Sequence, residues 1–266
     1  MSIRTETAMG TIVTIHVVQP AGALVDAAID RAFGWFREIE ACCSRFRGDS
    51  ELTRLTTQIG APVPVSAIVF EVVRFALMVA EESGGAFDPA VRGGNYRDVE
   101  LGPDRQTITL RRPLTLDLGG VAKGLAVDTA ARELAPFRDF AIDAGGDLYL
   151  GGLNPQGSPW SVGIRHPRRD RELIGTVRLS NQAVCTSGDY ERPNHLIDPR
   201  SGAVADFVAS ATVIADGAML ADALATAAFV LGPVEGISLL ARLGVEGMIV
   251  TPSLERFETE GFCDVA

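Results

Sequence analysis

Residues 11–18, Thr-Ile-Val-Thr-Ile-His-Val-Val, alternate in polarity and are rich in β-branched side chains, the pattern of a half-buried strand. Over residues 22–43 the period changes. Apolar side chains recur at helical spacing, among them Leu24, Ala28, Phe36 and Ile39. A second helix is predicted from Ser66, an N-cap by type, to Glu82, where Gly84-Gly85 stops it. Short strands follow near 96–101, 106–111 and 114–117, then a helix that runs to about Leu134. Further strands are predicted near 139–143, 147–151, 160–165, 173–179 and 207–214. Helices at 217–231 and 233–243 precede a last strand at 245–250. Strands come in runs separated by turn residues, not in strict alternation with helices. That order points to an α+β fold with mostly antiparallel sheets and packed helices. We expect one domain over 1–266, with the Pro/Gly-rich stretch 151–159 as either a subdomain seam or simply a loop.

Composition narrows the function classes. A chain of 266 residues, 47% hydrophobic and 22% charged, can bury a sizeable core. Its net charge of −10 argues against a broad nucleic-acid or anionic-membrane surface, which needs a basic face. The four cysteines (Cys42, Cys43, Cys185, Cys263) have no metal-ligand or disulfide spacing and suit a reducing compartment. Residues 1–10 lack an apolar leader core, and no stretch has the length of a membrane span, so the expectation for the chain as it stands is cytoplasmic.

Four features could carry chemistry. The chain has 23 arginines and a single lysine, Lys123, set among Gly119, Gly120 and Gly124 and following Asp117. Lysine is a compact ammonium and arginine a planar fork, so the exception matters where space is short. The segment is neither a P-loop nor a dinucleotide fingerprint; what remains is a Gly-Gly turn opening a helix, a weak anion-binding signal. In the second feature, the segment 219–231 is apolar nearly all round and should be buried, yet Asp222 and Thr226 lie one turn apart on one face. They suit part of a Mg²⁺ site completed by phosphates and waters. A local Asp222–Thr226 hydrogen bond, or an arginine partner for Asp222, would serve equally well. The third is His195, at the end of an expected strand before the turn Asp198-Pro-Arg-Ser-Gly202; with only His16 and His166 besides, it is one of few candidate bases. The fourth comprises Gly84-Gly-Ala-Phe-Asp-Pro89 and Thr186-Ser-Gly-Asp-Tyr-Glu-Arg192, by default a helix stop and a polar turn, by context an aromatic face and carboxylate suited to a heteroaromatic ring and a ligand loop.

Taken in order, these segments resemble the ApbE family, the FAD:protein FMN transferases. The matching pieces are Met9-Gly-Thr11, Ser44-Arg-Phe-Arg-Gly-Asp-Ser-Glu-Leu52, Gly84–Pro89, Asp117-Leu-Gly-Gly-Val-Ala-Lys-Gly124, Asp143-Ala-Gly-Gly-Asp147, Thr186–Arg192, His195–Gly202 and the Ala221–Thr226 helix. The resemblance implies FAD in a cleft between two intimate subdomains. Met9, Phe46, Ala86, Phe87, Asp88, Asp117, Lys123 and Leu196 would line the flavin nucleotide, and Asp222, Thr226 and the Gly120 carbonyl would bind Mg²⁺. His195 would be the catalytic base. The implied reaction passes FMN to a Thr or Ser hydroxyl of an acceptor flavoprotein and releases AMP. FAD pyrophosphatase activity or plain FAD binding are the alternatives. Phe46 departs from a frequent family tyrosine and Thr56 from a frequent asparagine, and no leader of the kind many members carry is seen.

Overall fold

The computed structural model describes residues 1–190 and 196–263. In chain order the elements are β1 (Ser2–Ala8), β2 (Thr11–Val17), α1 (Ala23–Cys43), α2 (Glu51–Thr56), β3 (Val63–Pro64), α3 (Ala67–Glu82), β4 (Ala90–Arg92), β5 (Val99–Gly102), β6 (Thr107–Leu110) and β7 (Thr115–Leu116). They continue with α4 (Gly119–Leu134), β8 (Phe140–Ala144), β9 (Asp147–Gly151), β10 (Trp160–Arg165), β11 (Leu173–Leu179), β12 (Gln182–Gly188), β13 (Ser210–Ala215), α5 (Ala218–Leu231), α6 (Pro233–Arg242), β14 (Glu246–Val250) and β15 (Arg256–Glu258).

The expected α+β class holds. An eight-stranded sheet in the order β1-β2-β8-β9-β12-β13-β14-β15 is antiparallel throughout, and three small antiparallel sheets accompany it. Period-two alternation divides the side chains of the large sheet between two cores. Cys185 of β12, Val213 of β13 and Ile249 of β14 join the core under the helices. Val184, Ile214 and Met248, the alternate residues, pack with Ile164 of β10 and Val177 of β11 on the opposite face. All six residues of β13 are buried because that strand is covered on both sides.

The helix boundaries follow local chemistry. The Ser66 hydroxyl accepts a hydrogen bond from Val69 N–H, the expected N-cap. After Glu82, Gly84 and Gly85 take positive φ values of 59° and 84°, and Gly85 N–H bonds back to the Ala80 carbonyl at 2.8 Å, ending α3. In α1 the buried stripe is Val25, Ala28, Ile29, Ala32, Phe33, Phe36, Ile39 and Cys43. Leu24, assigned to that stripe from the sequence, instead faces solvent.

Other expectations need correcting. Residues 96–98 form a single 3₁₀ turn, so the strand expected near 96–101 begins at Val99. The polar turn expected from Thr186 starts as strand: Thr186, Ser187 and Gly188 pair with Thr212, Ala211 and Ser210. Their small polar side chains concealed a central strand, because neighbouring strands rather than local preference hold it. Strands β1, β3, β4 and β15 and helix α2 were not anticipated; apart from β1 these are short, and β1 carries its alternation in charged residues. All four cysteines are free thiols, in keeping with their spacing. Among the described residues no helix is long and apolar enough to cross a membrane.

Candidate active site

Helices α4 and α5 cross with their backbones in contact. A side chain on Gly124 would put its Cβ 2.5 Å from Met219 N and 2.6 Å from the Ala218 carbonyl oxygen, so only glycine allows this approach. One turn further along α4, the Asp128 carboxylate accepts hydrogen bonds from Ala218 N–H at 2.6 Å and Met219 N–H at 3.0 Å. It thereby caps α5 from a neighbouring helix, where the helix dipole favours an anion. Burial pushes the Asp128 carboxyl up, against the two amides that favour its ionised form.

That crossing sets the first turns of α4 beside α5. Lys123 makes ion pairs with two carboxylates, contacting Asp147 of β9 directly and lying 3.5 Å from Asp222 of α5. Asp147 is 3% exposed and Asp222 9%. Thr226, one turn after Asp222, brings its hydroxyl within 3.3 Å of the Ser187 hydroxyl on β12. Gly120 faces this group. A Cβ there would stand 3.9 Å from Thr226 Oγ1 and 3.0 Å from the Phe87 ring, so the absence of a side chain keeps the approach open. Asp222 therefore has a lysine for its cation, where the sequence left open an arginine or a local bond to Thr226.

The remaining predicted residues surround this group at different depths. Ala86 and Phe87 are buried, with Phe87 N–H donating to the Ser83 hydroxyl at 3.1 Å. Asp88 is committed to its own loop: Oδ1 accepts from Ala90 N–H and Oδ2 from Tyr96 N–H, and burial raises its carboxyl. Asp117 accepts from Gly119 N–H at 2.9 Å and pairs with Arg45 at 2.9 Å. The same Arg45 guanidinium lies 4.4 Å over the ring of Phe46, which is 83% exposed. Arg45 thus ties an open aromatic face to the entry of α4. Met9 occupies the β1–β2 hairpin turn with φ 51°, its N–H donating to Glu40. Gly10 follows at φ 73°, so both central residues are left-handed, as a two-residue hairpin turn of this twist requires. Leu196 packs on the main core, and its carbonyl accepts from Ala205 N–H. His195 lies outside the described residues.

The structure thus brings Phe87, Gly120, Lys123, Asp222 and Thr226 together, links Asp117 to Phe46 through Arg45, and anchors Met9, Asp88 and Leu196 by other contacts. Three participants stood within the matched segments but were given no role from sequence: Arg45, Asp147 and Ser187. Asp147 had a signal, a carboxylate opening an apolar strand directly after a Gly-Gly turn. The other two histidines have structural settings. His16 meets Trp160 edge to face and burial lowers its pKa, while His166 Nδ1 accepts from Arg168 and Arg169 N–H.

The site suits a hard cation. Two buried carboxylates face one ammonium, which leaves one negative charge in excess. Asp222 Oδ2 receives no hydrogen bond among the described residues and lies 3.5 Å from the Lys123 ammonium, whereas Asp147 Oδ2 is in direct contact with it. No three His, Cys, Asp or Glu side chains are grouped for a metal among the described residues. Besides Asp222, the groups that could share a cation with it are neutral: the Thr226 hydroxyl and the Gly120 carbonyl. A Mg²⁺ ion, which keeps waters and takes phosphate oxygens, fits such a partial donor set better than a metal needing an all-protein cage.

The ApbE family model matches residues 9–94 and 90–249, nearly the whole chain. The chain belongs to the ApbE family. An FAD:protein FMN transferase of Treponema pallidum is 32% identical over 98% of this chain and 87% of its own length. The ApbE fold is also seen in solved structures. The ApbE protein of Thermotoga maritima superposes with a TM-score of 0.89 at 26% identity, covering 97% of both chains. The flavin transferase ApbE of Vibrio cholerae gives 0.89 at 25% identity, covering 98% of this chain and 97% of its own.

Proposed function

We propose that this protein is a flavin transferase that passes FMN from FAD to a Thr or Ser hydroxyl of an acceptor flavoprotein and releases AMP. One observation carries the reading. The chain aligns with 87% of the length of an FAD:protein FMN transferase, and Lys123, the buried Asp147 and Asp222, the Thr226 hydroxyl and the bare Gly120 backbone, near one another, support the reading.

FAD is held within a single unit, 1–266, in a cleft between its two subdomains. Met9, Phe46, Ala86, Phe87, Asp88, Asp117 and Leu196 line the flavin nucleotide, with the exposed Phe46 ring as a stacking face. Lys123 has three donors, and Asp147 and Asp222 engage it from two sides; the remaining direction is available to a phosphate oxygen. Asp222, Thr226 and the Gly120 carbonyl would hold Mg²⁺, which when bound supplies neutralisation of the pyrophosphate charge. His195 takes the proton of the acceptor hydroxyl. The acceptor oxygen bonds to the FMN phosphorus, the bridging P–O bond breaks, and AMP departs with the bridging oxygen. Such a displacement depends on positioning and charge stabilisation, so no covalent nucleophile of the enzyme is required.

The test is to incubate the protein with FAD, Mg²⁺ and an acceptor domain and to read flavin fluorescence on a denaturing gel. Fluorescent acceptor is the expected result. Free FMN and AMP with an unlabelled acceptor would make it a pyrophosphatase, and intact FAD throughout would remove both activities. His195→Ala should keep FAD binding and lose transfer; full transfer by that variant would exclude it as the base.

A further inference from the structure

We infer that Asp147 is a positioning residue: it draws the Lys123 ammonium away from Asp222 and so leaves Asp222 free for the divalent cation. This rests on the metal assignment proposed above and extends it to a residue with no role in that reaction scheme.

Asp147 is the first residue of β9, directly after a two-residue turn in which Gly145 and Gly146 have φ values of 64° and 97°. The turn pairs Ala144 with Asp147 and fixes where the carboxylate emerges. At 3% exposure it is buried more deeply than Asp222, in a strand whose other residues are apolar or glycine. A carboxylate there is costly unless it is paired. Its pairing cation is Lys123, which also lies 3.5 Å from Asp222. The ammonium is thus shared unequally, in direct contact with Asp147 and further from Asp222. The asymmetry has a consequence for metal binding. An ammonium seated on Asp222 would cancel its charge and repel a second cation a few ångströms away. Asp147 therefore decides whether Asp222 faces a competitor or an open position, and it keeps the ammonium within reach of phosphate.

Direct Mn²⁺ titration, read by the EPR signal of the free ion, tests this without turnover. Asp147→Asn keeps the shape and removes the charge, so Lys123 should move onto Asp222 and the Mn²⁺ Kd should rise at least about tenfold. In a Lys123→Met background the same change should raise Kd by no more than about threefold, because no ammonium remains to be released. Equal effects in the two backgrounds would mean that Asp147 acts on the ion directly, and a Kd within about twofold of wild type for Asp147→Asn would mean that it does not act at all; either overturns the inference. Should Asp147→Asn fail to fold, Lys123→Met alone decides. It should leave the Mn²⁺ Kd within about threefold of wild type, whereas tightening by about tenfold or more would mean that Asp147 does not keep the ammonium off Asp222 and overturns the inference. Failure of wild type to bind Mn²⁺, or wild-type affinity in Asp222→Ala, overturns the metal assignment and this inference with it. That pattern is distinct from one in which only the Asp147 variants disappoint.

Discussion

Lys123 shows how much one side chain can be asked to do. Its side chain is only 23% exposed and is bracketed by two acidic groups. An arginine fork brought there would keep the charge but need room for a planar group with five donors. Lys123→Arg should therefore lower kcat/KM for FAD by at least about tenfold, through misplacement rather than charge loss. Steady-state kinetics and FAD titration check it, and unchanged values would reduce the lone lysine to an accident of composition. Asp222→Ala should lower metal-dependent transfer by about a hundredfold or more, since it removes the one carboxylate of the proposed metal set. Undiminished activity would refute the assignment. At this scale the sequence was informative about residue type and silent about pairing. Asp222 was legible as a buried acid in an apolar helix, but its distance to a lysine 99 positions earlier depended on how two helices cross.

The crossing of α4 and α5 belongs to the next scale. Gly124 sets how close the helices come, and Asp128 sets how they are aligned along their axes. Gly124→Ala would force Cβ into the Met219 backbone and should destabilise the fold by roughly 1–3 kcal/mol, as overpacking does. Asp128→Ala would leave two N–H groups without their acceptor and should cost about 1–3 kcal/mol as well. Thermal or denaturant unfolding measures both, and a loss below about 0.5 kcal/mol in either would show that the helices are held elsewhere. The turn after Leu196 is held differently. Arg200 lowers the Asp198 carboxyl pKa, so the stabilisation from this pair is present above the ordinary carboxylate range and lost as pH falls through the lowered value. Arg200 is exposed and Asp198 half-buried, so the pair is partly screened by water and Asp198→Asn should cost about 1 kcal/mol at pH 7. Melts of both proteins at pH 7 and in acid should show the difference shrinking as the pH falls. A gap that persists in acid would mean the side chain acts through its neutral hydrogen bonds alone.

For the whole molecule, the decisive arrangement is one sheet with two covered faces. Helices bury one side and the β10–β11 hairpin the other, which places β12 and β13 in the interior. Burial pushes the Cys43 thiol up to about 12 and the fully buried Cys185 thiol well above its ordinary value, whereas Cys263 is exposed. A thiol reagent at neutral pH should therefore label Cys263 quickly and reach Cys43 and Cys185 only with unfolding. Mass spectrometry of partly labelled protein would show this order, and early labelling of Cys185 would contradict the two-sided burial of β12.

The ends of α3, the extents of α4 and α5 and the α+β class were legible in the sequence. Caps, glycine stops and hydrophobic periodicity act over a few residues and need nothing from elsewhere in the chain. The matched segments also named most of the residues around the candidate site. Tertiary structure alone decided that Thr186–Gly188 is strand, that Leu24 faces water, and that Asp147 rather than Asp222 makes the direct contact with Lys123. Each depends on groups distant in sequence: a neighbouring strand, the packing of α1, the turn at Gly145–Gly146. Local pattern records what a segment prefers. Which carboxylate meets the one lysine is set where three elements converge, and no single stretch of this chain contains that information.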